Sequence, residues 1–274
     1  MDTFRHGETI DELKTNAKDA RKTMFLNEIY LNYRRWKEAN LAIESNSEDD
    51  LKEKIRLYAD YRRHIFQKKY RHKNSFLGDR KLYETALSEF VYYVYKDMPI
   101  TRSKNVLLTR AFIANQLTGF IHNIDDLKNE KVLNFREQKM RCVIGRSLKM
   151  QYRMDGRKAY FTQDLVFPLV ITETAMILDD WLFNSIHRSV RRIKKMFPDC
   201  LALIVAEVVH DDFSSNIQDS ALDGLYIIQQ QTMSMKRKNI SFDVIDGIVN
   251  HISKYFAKDE NELKRKIESG IILK

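Results

Sequence analysis

The stretch Asp164-Leu-Val-Phe-Pro-Leu-Val-Ile-Thr-Glu173-Thr-Ala175-Met-Ile-Leu-Asp179 decides the fold of this chain. Its apolar run at 165–171 is too short for a typical helix and rich in β-forming residues, so it predicts a buried strand. An amphipathic helix is predicted at 180–197 and a second apolar strand at 201–209. This order predicts a parallel pair with a right-handed crossover. Because ligand sites in such sheets lie at the carboxyl ends of strands, Glu173 is a candidate catalytic acid.

The spacing after Glu173 indicates one kind of chemistry. Period two places Glu173 and residue 175 on the same face of the strand. Many nucleases bind a metal ion with an Asp and a Glu and carry a Lys two residues after the Glu. That Lys orients or activates the attacking water and stabilises charge on the phosphate. Here Ala175 stands at the position of the Lys. An acid in a strand is also common in proteins that bind no metal.

Composition narrows the class of protein. The 274 residues, 43% of them hydrophobic, suffice for a sizeable core in one large domain or two smaller ones. A net charge of +9 favours an anionic partner such as nucleic acid. Cys142 and Cys200 lack metal-ligand spacing, which argues against structural zinc and against a disulfide framework. Without an apolar run of about 20 residues or a signal peptide, we expect a soluble, cytoplasmic protein with no membrane contact.

Helical periodicity dominates the first hundred residues. The segment 1–20 is polar and predicts an arm or a frayed helix, and helices are predicted at 23–43, 49–70 and 81–96. Ser47 is the predicted N-cap of the second. Pro99 marks the end of this helical part. We therefore expect a helical part at 1–98 that contacts DNA and an α/β part at 99–274.

The remaining elements are predicted from local patterns. Residues 100–130 fit either a helix or a strand and turn. Strands are predicted at 140–145 and 148–153, with a turn at Asp155-Gly156 and a further strand at 224–228. Helices are predicted at 242–256 and 260–268.

Three groups of basic residues are candidate DNA contacts, because phosphate binding requires clustered cations. The first lies at the end of the second helix, the second on the crossover helix, and the third in the loop 232–239. The first group comprises Arg62, Arg63, Lys68, Lys69, Arg71 and Lys73. The second comprises Arg188, Arg191, Arg192, Lys194 and Lys195. The third comprises Lys236, Arg237 and Lys238. The alternative is that they form solvated faces, or that the first group complements a helix dipole.

Eight short pieces of sequence, in a fixed order over nearly the whole chain from residue 23, carry a family resemblance. They are Trp36-Lys-Glu-Ala-Asn-Leu, Leu87-Ser-Glu89-Phe, Val143-Ile-Gly, Phe167-Pro-Leu-Val-Ile-Thr-Glu173, Leu178-Asp-Asp, Phe197-Pro-Asp-Cys200, Val205-Ala-Glu207 and Leu222-Asp223-Gly-Leu-Tyr226-Ile-Ile. Together they resemble the heterodimeric restriction endonucleases of the BbvCI type, in the PD-(D/E)XK superfamily, which cut a short asymmetric DNA site with two related subunits.

The resemblance implies both a fold and an activity. The fold is restriction-endonuclease-like, of the α/β class, with a mixed central sheet flanked by helices and an N-terminal helical part. The activity is Mg²⁺-dependent hydrolysis of a phosphodiester in double-stranded DNA. A related second subunit or a homodimer is implied too, because one active site cuts one strand.

The resemblance also assigns residues to the metal site. Glu173 matches the metal-binding Glu of the family, and Ala175 occupies the position of its Lys. The metal-binding Asp of the family precedes a motif like Val143-Ile-Gly, which places Arg141 there. Asp164, nine residues before Glu173, is the alternative acid for the metal.

Two further positions follow from the resemblance. Glu89 matches a helix acid and is either an accessory catalytic group or a helix surface charge. Gln229 stands where the family has an Arg, which indicates an altered phosphate or base contact.

We therefore expect a chain that binds DNA and cleaves it poorly or not at all, since loss of one positioned stabiliser of the transition state costs about 10²–10³-fold in rate. Either Ala175 was introduced into an otherwise working site, or the chain is a naturally degenerate subunit. The alternative function is that of a non-catalytic nucleic-acid-binding or assembly protein that reuses the fold.

Overall fold

The computed structural model of the protein describes residues 5–66, 80–104, 106–118, 134–152, 161–218, 220–236 and 238–268. A five-stranded sheet forms its centre, with the strands adjacent in chain order. They are Leu107–Thr118 (β1), Asn134–Tyr152 (β2), Phe161–Leu178 (β3), Leu201–Val209 (β4) and Gly224–Ile227 (β5). β2 pairs antiparallel with β1 and β3, whereas β4 pairs parallel with β3 and β5. The mixed α/β fold flanked by helices is confirmed.

Among the described residues, six α-helices accompany this sheet. They are Arg5–Thr15 (α1), Ala20–Ala42 (α2), Glu48–Ile65 (α3), Arg80–Tyr95 (α4), Asp180–Met196 (α5) and Phe242–Glu268 (α6). A short 3₁₀ helix, Pro99–Arg102, leads from α4 towards the sheet. In the described part of the chain, none of the helices combines the length and the apolar character needed to cross a membrane.

Both faces of β3 are largely buried from Val170 onward, whereas Phe167, earlier in the predicted apolar run, is 41% exposed. Val170 packs with α1–α4 and α6 in the first apolar core. Ile171, the next residue, packs with α5 in the second core. α5 is the predicted crossover helix, and its buried residues follow helical spacing at Phe183, Ile186, Val190 and Ile193. The predicted parallel pair of β3 and β4 is confirmed.

The first core extends from the N-terminal helices into the sheet without interruption. Trp36 of α2, Tyr58 of α3 and Phe90 of α4 belong to the same buried cluster as Val205 of β4. The rings of Tyr58 and Phe90 stack with centroids 4.4 Å apart. α4 ends at Tyr95, and the helices before it share one core with the sheet, so the division of the chain near residue 98 stays a prediction.

Several predicted elements differ in length from those observed. The segment 100–130 contains the strand β1, and the two strands predicted at 140–145 and 148–153 are one continuous strand, β2. The two C-terminal helices are one helix, α6. The predicted extension of the second helix to residue 70 and the turn at Asp155-Gly156 lie outside the described residues.

A bulge in β3 accommodates a proline in the centre of the sheet. Ile144 pairs with Val170, but Gly145 pairs with Pro168, so β3 contributes one extra residue. Proline has no N–H to donate to the ladder, and bulges are among the places where strands tolerate it. Gly145 lies opposite this bulge, and a larger residue there would collide with the backbone of β3.

Hydrogen bonds at the element ends confirm one predicted cap and add another. The Ser47 Oγ accepts the backbone N–H of Asp50 at 3.3 Å, which makes Ser47 the N-cap of α3. Asp179 caps α5 by accepting the N–H of Leu182 at 2.7 Å. Each cap satisfies a backbone donor that the first turn of a helix leaves unpaired.

Two buried polar groups join the N-terminal helices to each other. The Lys54 Nζ, with its side chain fully buried, lies 2.6 Å from the Asp97 carboxylate. His6 lies in α1, and its ring is fully buried where this helix packs against its neighbours. The Nδ1 of the ring lies 2.9 Å from the Thr85 hydroxyl. Burial lowers the pKa of His6 to about 3, so this side chain is neutral near pH 7.

Two glycines provide a test of the packing at the bulge. A Cβ on Gly145 would lie 2.5 Å from the carbonyl oxygen of Phe167, whereas the nearest atom to a Cβ on Gly247, within α6, is 3.9 Å away. We expect Gly145→Ala to lower the free energy of unfolding by about 1–3 kcal/mol, the usual cost of overpacking. Gly247→Ala should raise it by up to about 1 kcal/mol, because alanine favours a helix. Urea unfolding measures both, and equal effects at the two positions would contradict the assigned bulge.

Candidate active site

Glu173 lies where the ladder between β2 and β3 ends. The last pair of that ladder is Cys142 with Thr172. Immediately beyond it, the Glu173 Oε1 accepts the backbone N–H of Arg141 at 2.9 Å. A side-chain carboxylate thus satisfies a main-chain donor that lies beyond the paired region.

A bulge in β2 sets the position of Arg141. In the pairing with β1, Thr109 lies opposite Val143 and Ala111 lies opposite Met140. Between these two pairs β2 therefore has two residues where β1 has one. Bulges change the direction of side chains and increase the local twist. Arg141 lies within this irregular segment and reaches towards both β3 and α4.

The guanidinium of Arg141 lies between two carboxylates. Its Nη2 donates to the Glu84 Oε2 at 2.7 Å, and its Nε lies 3.4 Å from the Glu173 Oε2. The two acidic side chains are only 14% and 15% exposed. Shielding from water strengthens such charge-assisted contacts and makes an unpaired charge costly.

The surroundings of Glu173 shift its titration. Burial raises the pKa of the Glu173 carboxyl above its ordinary value, and the negative charge of Glu84 adds to that rise. The charges of Arg141 and Arg110 and the N–H of Arg141 oppose it. The two arginines therefore favour the ionised carboxylate in a place where burial disfavours it.

Ala175 is a fully buried residue of the second core. It belongs to the same cluster as Phe183 of α5, and in the sheet it lies opposite Ala206 of β4. These neighbours are apolar, so the methyl group packs where an ammonium group would lose its hydration.

Asp164 does not share a site with Glu173. Both residues lie on the single strand β3, nine positions apart, and Asp164 pairs with Lys149 of β2. At about 3.3 Å per residue this separation is about 30 Å. The prediction that Asp164 completes the metal site is therefore wrong, because one extended strand cannot bring these two carboxylates to one ion. Arg141 is the residue that contacts Glu173.

The residues around Glu173 do not fit Mg²⁺. This ion takes oxygen ligands in near-octahedral geometry, usually from carboxylates and water. Here the carboxylates of Glu84 and Glu173 both contact a guanidinium, whose positive charge lies where a metal ion would have to bind. Among the residues that the structure describes, no three His, Cys, Asp or Glu side chains group as metal ligands.

Glu89 is an interior acid beside this site. Its side chain is 1% exposed and accepts hydrogen bonds from the hydroxyls of Tyr33 at 3.0 Å and Tyr93 at 2.6 Å. Burial and the nearby charge of Glu89 raise the pKa of Tyr93, which keeps that hydroxyl protonated as a donor. Together with Glu84 and Arg141, Glu89 lines a cavity of about 130 Å³. The reading of Glu89 as a helix surface charge is wrong, and its accessory catalytic role stays a prediction.

The arrangement of helices and sheet is similar to that of a solved assembly. The native BbvCI A2B2 tetramer, solved at low resolution, matches with a TM-score of 0.67 and 15% sequence identity, over 95% of this chain and 98% of that chain. The fold is restriction-endonuclease-like. No family model matches the sequence, and no curated protein matches it at a significant level. At this identity the likeness concerns the fold and not the chemistry.

A buried arginine, Arg62, joins the helical layer of this restriction-endonuclease-like fold to the sheet. The Nε of Arg62 in α3 lies 2.7 and 2.8 Å from the two carboxylate oxygens of Glu207 in β4, and the Tyr58 hydroxyl donates to the same carboxylate at 2.7 Å. With its amide oxygen turned towards the guanidinium, Gln229 accepts from the Nη1 and Nη2 of Arg62 at 3.0 and 2.8 Å.

This network corrects one prediction. The sequence predicts that Arg62 contacts DNA, but it is 9% exposed and its guanidinium is used within the protein. Gln229 is also buried and contacts Arg62, and the altered phosphate or base contact at this position stays a prediction. The sequence contained one usable signal, since the acid Glu207 inside an otherwise apolar strand requires a cationic or polar partner.

The remaining basic groups lie at two ends of the sheet. Arg63 follows Arg62 at the end of α3, near Glu207, and is 76% exposed. Lys236 and Lys238 are exposed in the loop that follows β5. Both places lie towards the carboxyl ends of the parallel strands.

The basic face of α5 lies at the opposite end. Lys194 contacts Asp223 at 2.7 Å, and Asp223 accepts the N–H of Ala202 near the start of β4. Arg188, Arg191, Arg192 and Lys195 are exposed on α5. Lys68, Lys69, Arg71, Lys73 and Arg237 lie outside the described residues.

The role of Arg62 as an internal partner can be tested by unfolding. We expect Arg62→Met to lower the free energy of unfolding by about 3–5 kcal/mol, because Glu207 is left as an uncompensated buried charge. The double change Arg62→Met with Glu207→Leu should recover at least half of that loss, since apolar replacements of a buried pair are often tolerated. Arg63→Met at the exposed neighbouring position is the control and should change stability by less than about 0.5 kcal/mol. Equal losses for the single and double variants would contradict the ion pair.

Proposed function

We propose that this chain is a DNA-binding subunit of a type II restriction endonuclease whose own site does not catalyse phosphodiester hydrolysis. One observation carries the proposal: the guanidinium of Arg141 contacts Glu84 and Glu173 at the place where a nuclease of this fold would need a metal ion. The restriction-endonuclease-like fold supports the enzyme class.

The chemistry of phosphodiester cleavage explains why this site is impaired. A metal ion would supply charge stabilisation and an activated water, and a lysine near it would supply a further positive charge. Arg141 neutralises the acids without an open coordination position for water. Ala175 contributes a methyl group where the lysine would stand. Loss of one such stabiliser costs about 10²–10³-fold in rate, and this chain lacks both groups.

The proposed partners are double-stranded DNA and a second subunit. The net charge of +9 supports an anionic partner. The similar solved structure is an A2B2 tetramer, which supports assembly with a related chain or with a second copy. In this proposal the partner supplies the Mg²⁺-dependent site, and this chain supplies part of the DNA-binding surface.

Cleavage of mixed-sequence plasmid DNA tests the proposal. The purified chain should bind duplex DNA and should not nick it in the presence of Mg²⁺, while extract from the native host, which contains the partner, should give cuts at discrete sites. Glu173→Ala is the matched control, since nicking by both proteins indicates a contaminating nuclease.

Two results would contradict parts of the proposal. Mg²⁺-dependent nicking by the chain alone that Glu173→Ala abolishes would show that the site is catalytic. Weak binding without sequence preference, and no cutting with extract, would favour the alternative of a non-catalytic assembly protein.

The side of the molecule that contacts DNA can be found from salt dependence. Lys236 and Lys238 lie near the carboxyl ends of the parallel strands, where ligands usually bind in such sheets. We expect Lys236→Ala with Lys238→Ala to weaken binding on all sequences and to reduce the slope of log affinity against log salt by about 1–2. Arg188→Ala with Arg191→Ala, at the opposite end, should leave the slope unchanged. The reverse result would place DNA along α5.

A further inference from the structure

The site around Glu173 joins three elements through direct contacts with one guanidinium, that of Arg141, while Arg110 lies close enough to act on Glu173 by its charge. Glu84 comes from α4, Glu173 from β3, and Arg141 from the bulge in β2. Both carboxylates contact the same guanidinium, at 2.7 Å from its Nη2 and 3.4 Å from its Nε. The two acids therefore lie within the span of a single guanidinium group.

We propose that Arg141 takes the place of a divalent metal ion, as a permanently attached cation that holds Glu84 and Glu173 together. Two shielded carboxylates at such a separation repel each other, and a positive charge between them offsets that repulsion. A metal ion can supply that charge but dissociates. An arginine stays charged at every accessible pH and its planar fork of donors matches carboxylates.

The backbone supports this role. The bulge in β2 directs Arg141 out of the regular ladder, and the N–H of the same residue donates to Glu173 at 2.9 Å. Glu173 is thus bound by two groups of one residue. This chain then has no need of a divalent ion to keep α4, β2 and β3 in register at the site.

Removal of the guanidinium should create the metal site that the wild-type chain lacks. In Arg141→Ala no guanidinium would bridge Glu84 and Glu173, and Glu84 would line a cavity of about 130 Å³ that Lys81 and Arg110 also line. Carboxylates with room for water are the ligands that Mn²⁺ and Mg²⁺ accept. A cation that binds only the folded state stabilises it by mass action.

Thermal unfolding with the metal alone tests the inference. Wild-type protein should melt at the same temperature in EDTA and in millimolar MnCl₂, and electron paramagnetic resonance should detect no bound Mn²⁺. Arg141→Ala should melt several degrees lower in EDTA, and MnCl₂ should restore at least half of the loss with one ion bound. Arg141→Gln, which removes the charge but keeps more volume, should respond in the same direction and serves if the alanine variant does not fold.

A matched control exists on the surface of α3. Arg56 also contacts two carboxylates, Glu53 at 2.6 Å and Asp60 at 2.9 Å, but its side chain is 58% exposed. Because water screens these acids, Arg56→Ala should show no rise in melting temperature with MnCl₂. Arg141→Ala combined with Glu84→Gln and Glu173→Gln should lose the response to Mn²⁺ as well. Binding of Mn²⁺ at this site in the wild-type protein, or no response in either Arg141 variant, would overturn the inference.

One consequence rests on the proposed function. If the chain binds DNA, its affinity should not rise when Mg²⁺ replaces EDTA, and it should fall only as far as competition of Mg²⁺ for the phosphates requires. A wild-type protein that binds DNA only with Mg²⁺ would overturn the inference while the DNA-binding function stands. A protein that binds no DNA, but whose Arg141 variants gain a metal site, would leave the inference intact and contradict the proposed function.

Discussion

The structure depends on the burial of β3 on both of its faces. One face packs against the N-terminal helices and the other against α5, so a shift of the strand by one residue would exchange the side chains that pack in the two cores. This constraint fixes the register with β2 and β4, and it therefore fixes where the β2–β3 ladder ends. The position of Glu173 and its contact with Arg141 both follow from where this ladder ends.

Two largely buried arginines serve different purposes in this fold. Arg62 joins α3 to β4 through Glu207, so its removal affects how the helical layer sits on the sheet. Arg141 lies between acids at the expected catalytic position, where it neutralises charge and leaves no open position for a metal ligand. In both places a shielded carboxylate needs a cation. Arg62 supplies it where the helices pack on the sheet, and Arg141 supplies it at a site where a nuclease would use a metal ion.

The sequence predicts the elements whose signal is local. The unit β3–α5–β4 and the cap Ser47 follow from periodicity and capping chemistry, and they are confirmed. The sequence does not predict the continuous length of β2, because polar residues interrupt the alternation of apolar and polar side chains along it. At the site, the contact between Arg141 and Glu173 depends on a bulge, and that of Arg62 with Glu207 joins residues 145 positions apart. Neither a bulge nor a distant partner leaves a periodic pattern in the sequence.

The shared first core has a consequence for the modularity of this chain. Trp36, Tyr58 and Phe90 belong to the same continuous apolar core as residues of the sheet and of α6, so the N-terminal helices share their interior with the sheet. Excision of those helices would expose a contiguous apolar surface that promotes aggregation. The helical part is therefore not a portable unit that could be transplanted onto another protein of this fold. Changes in the properties of its surface must arise by substitution within the intact chain rather than by exchange of its N-terminal segment.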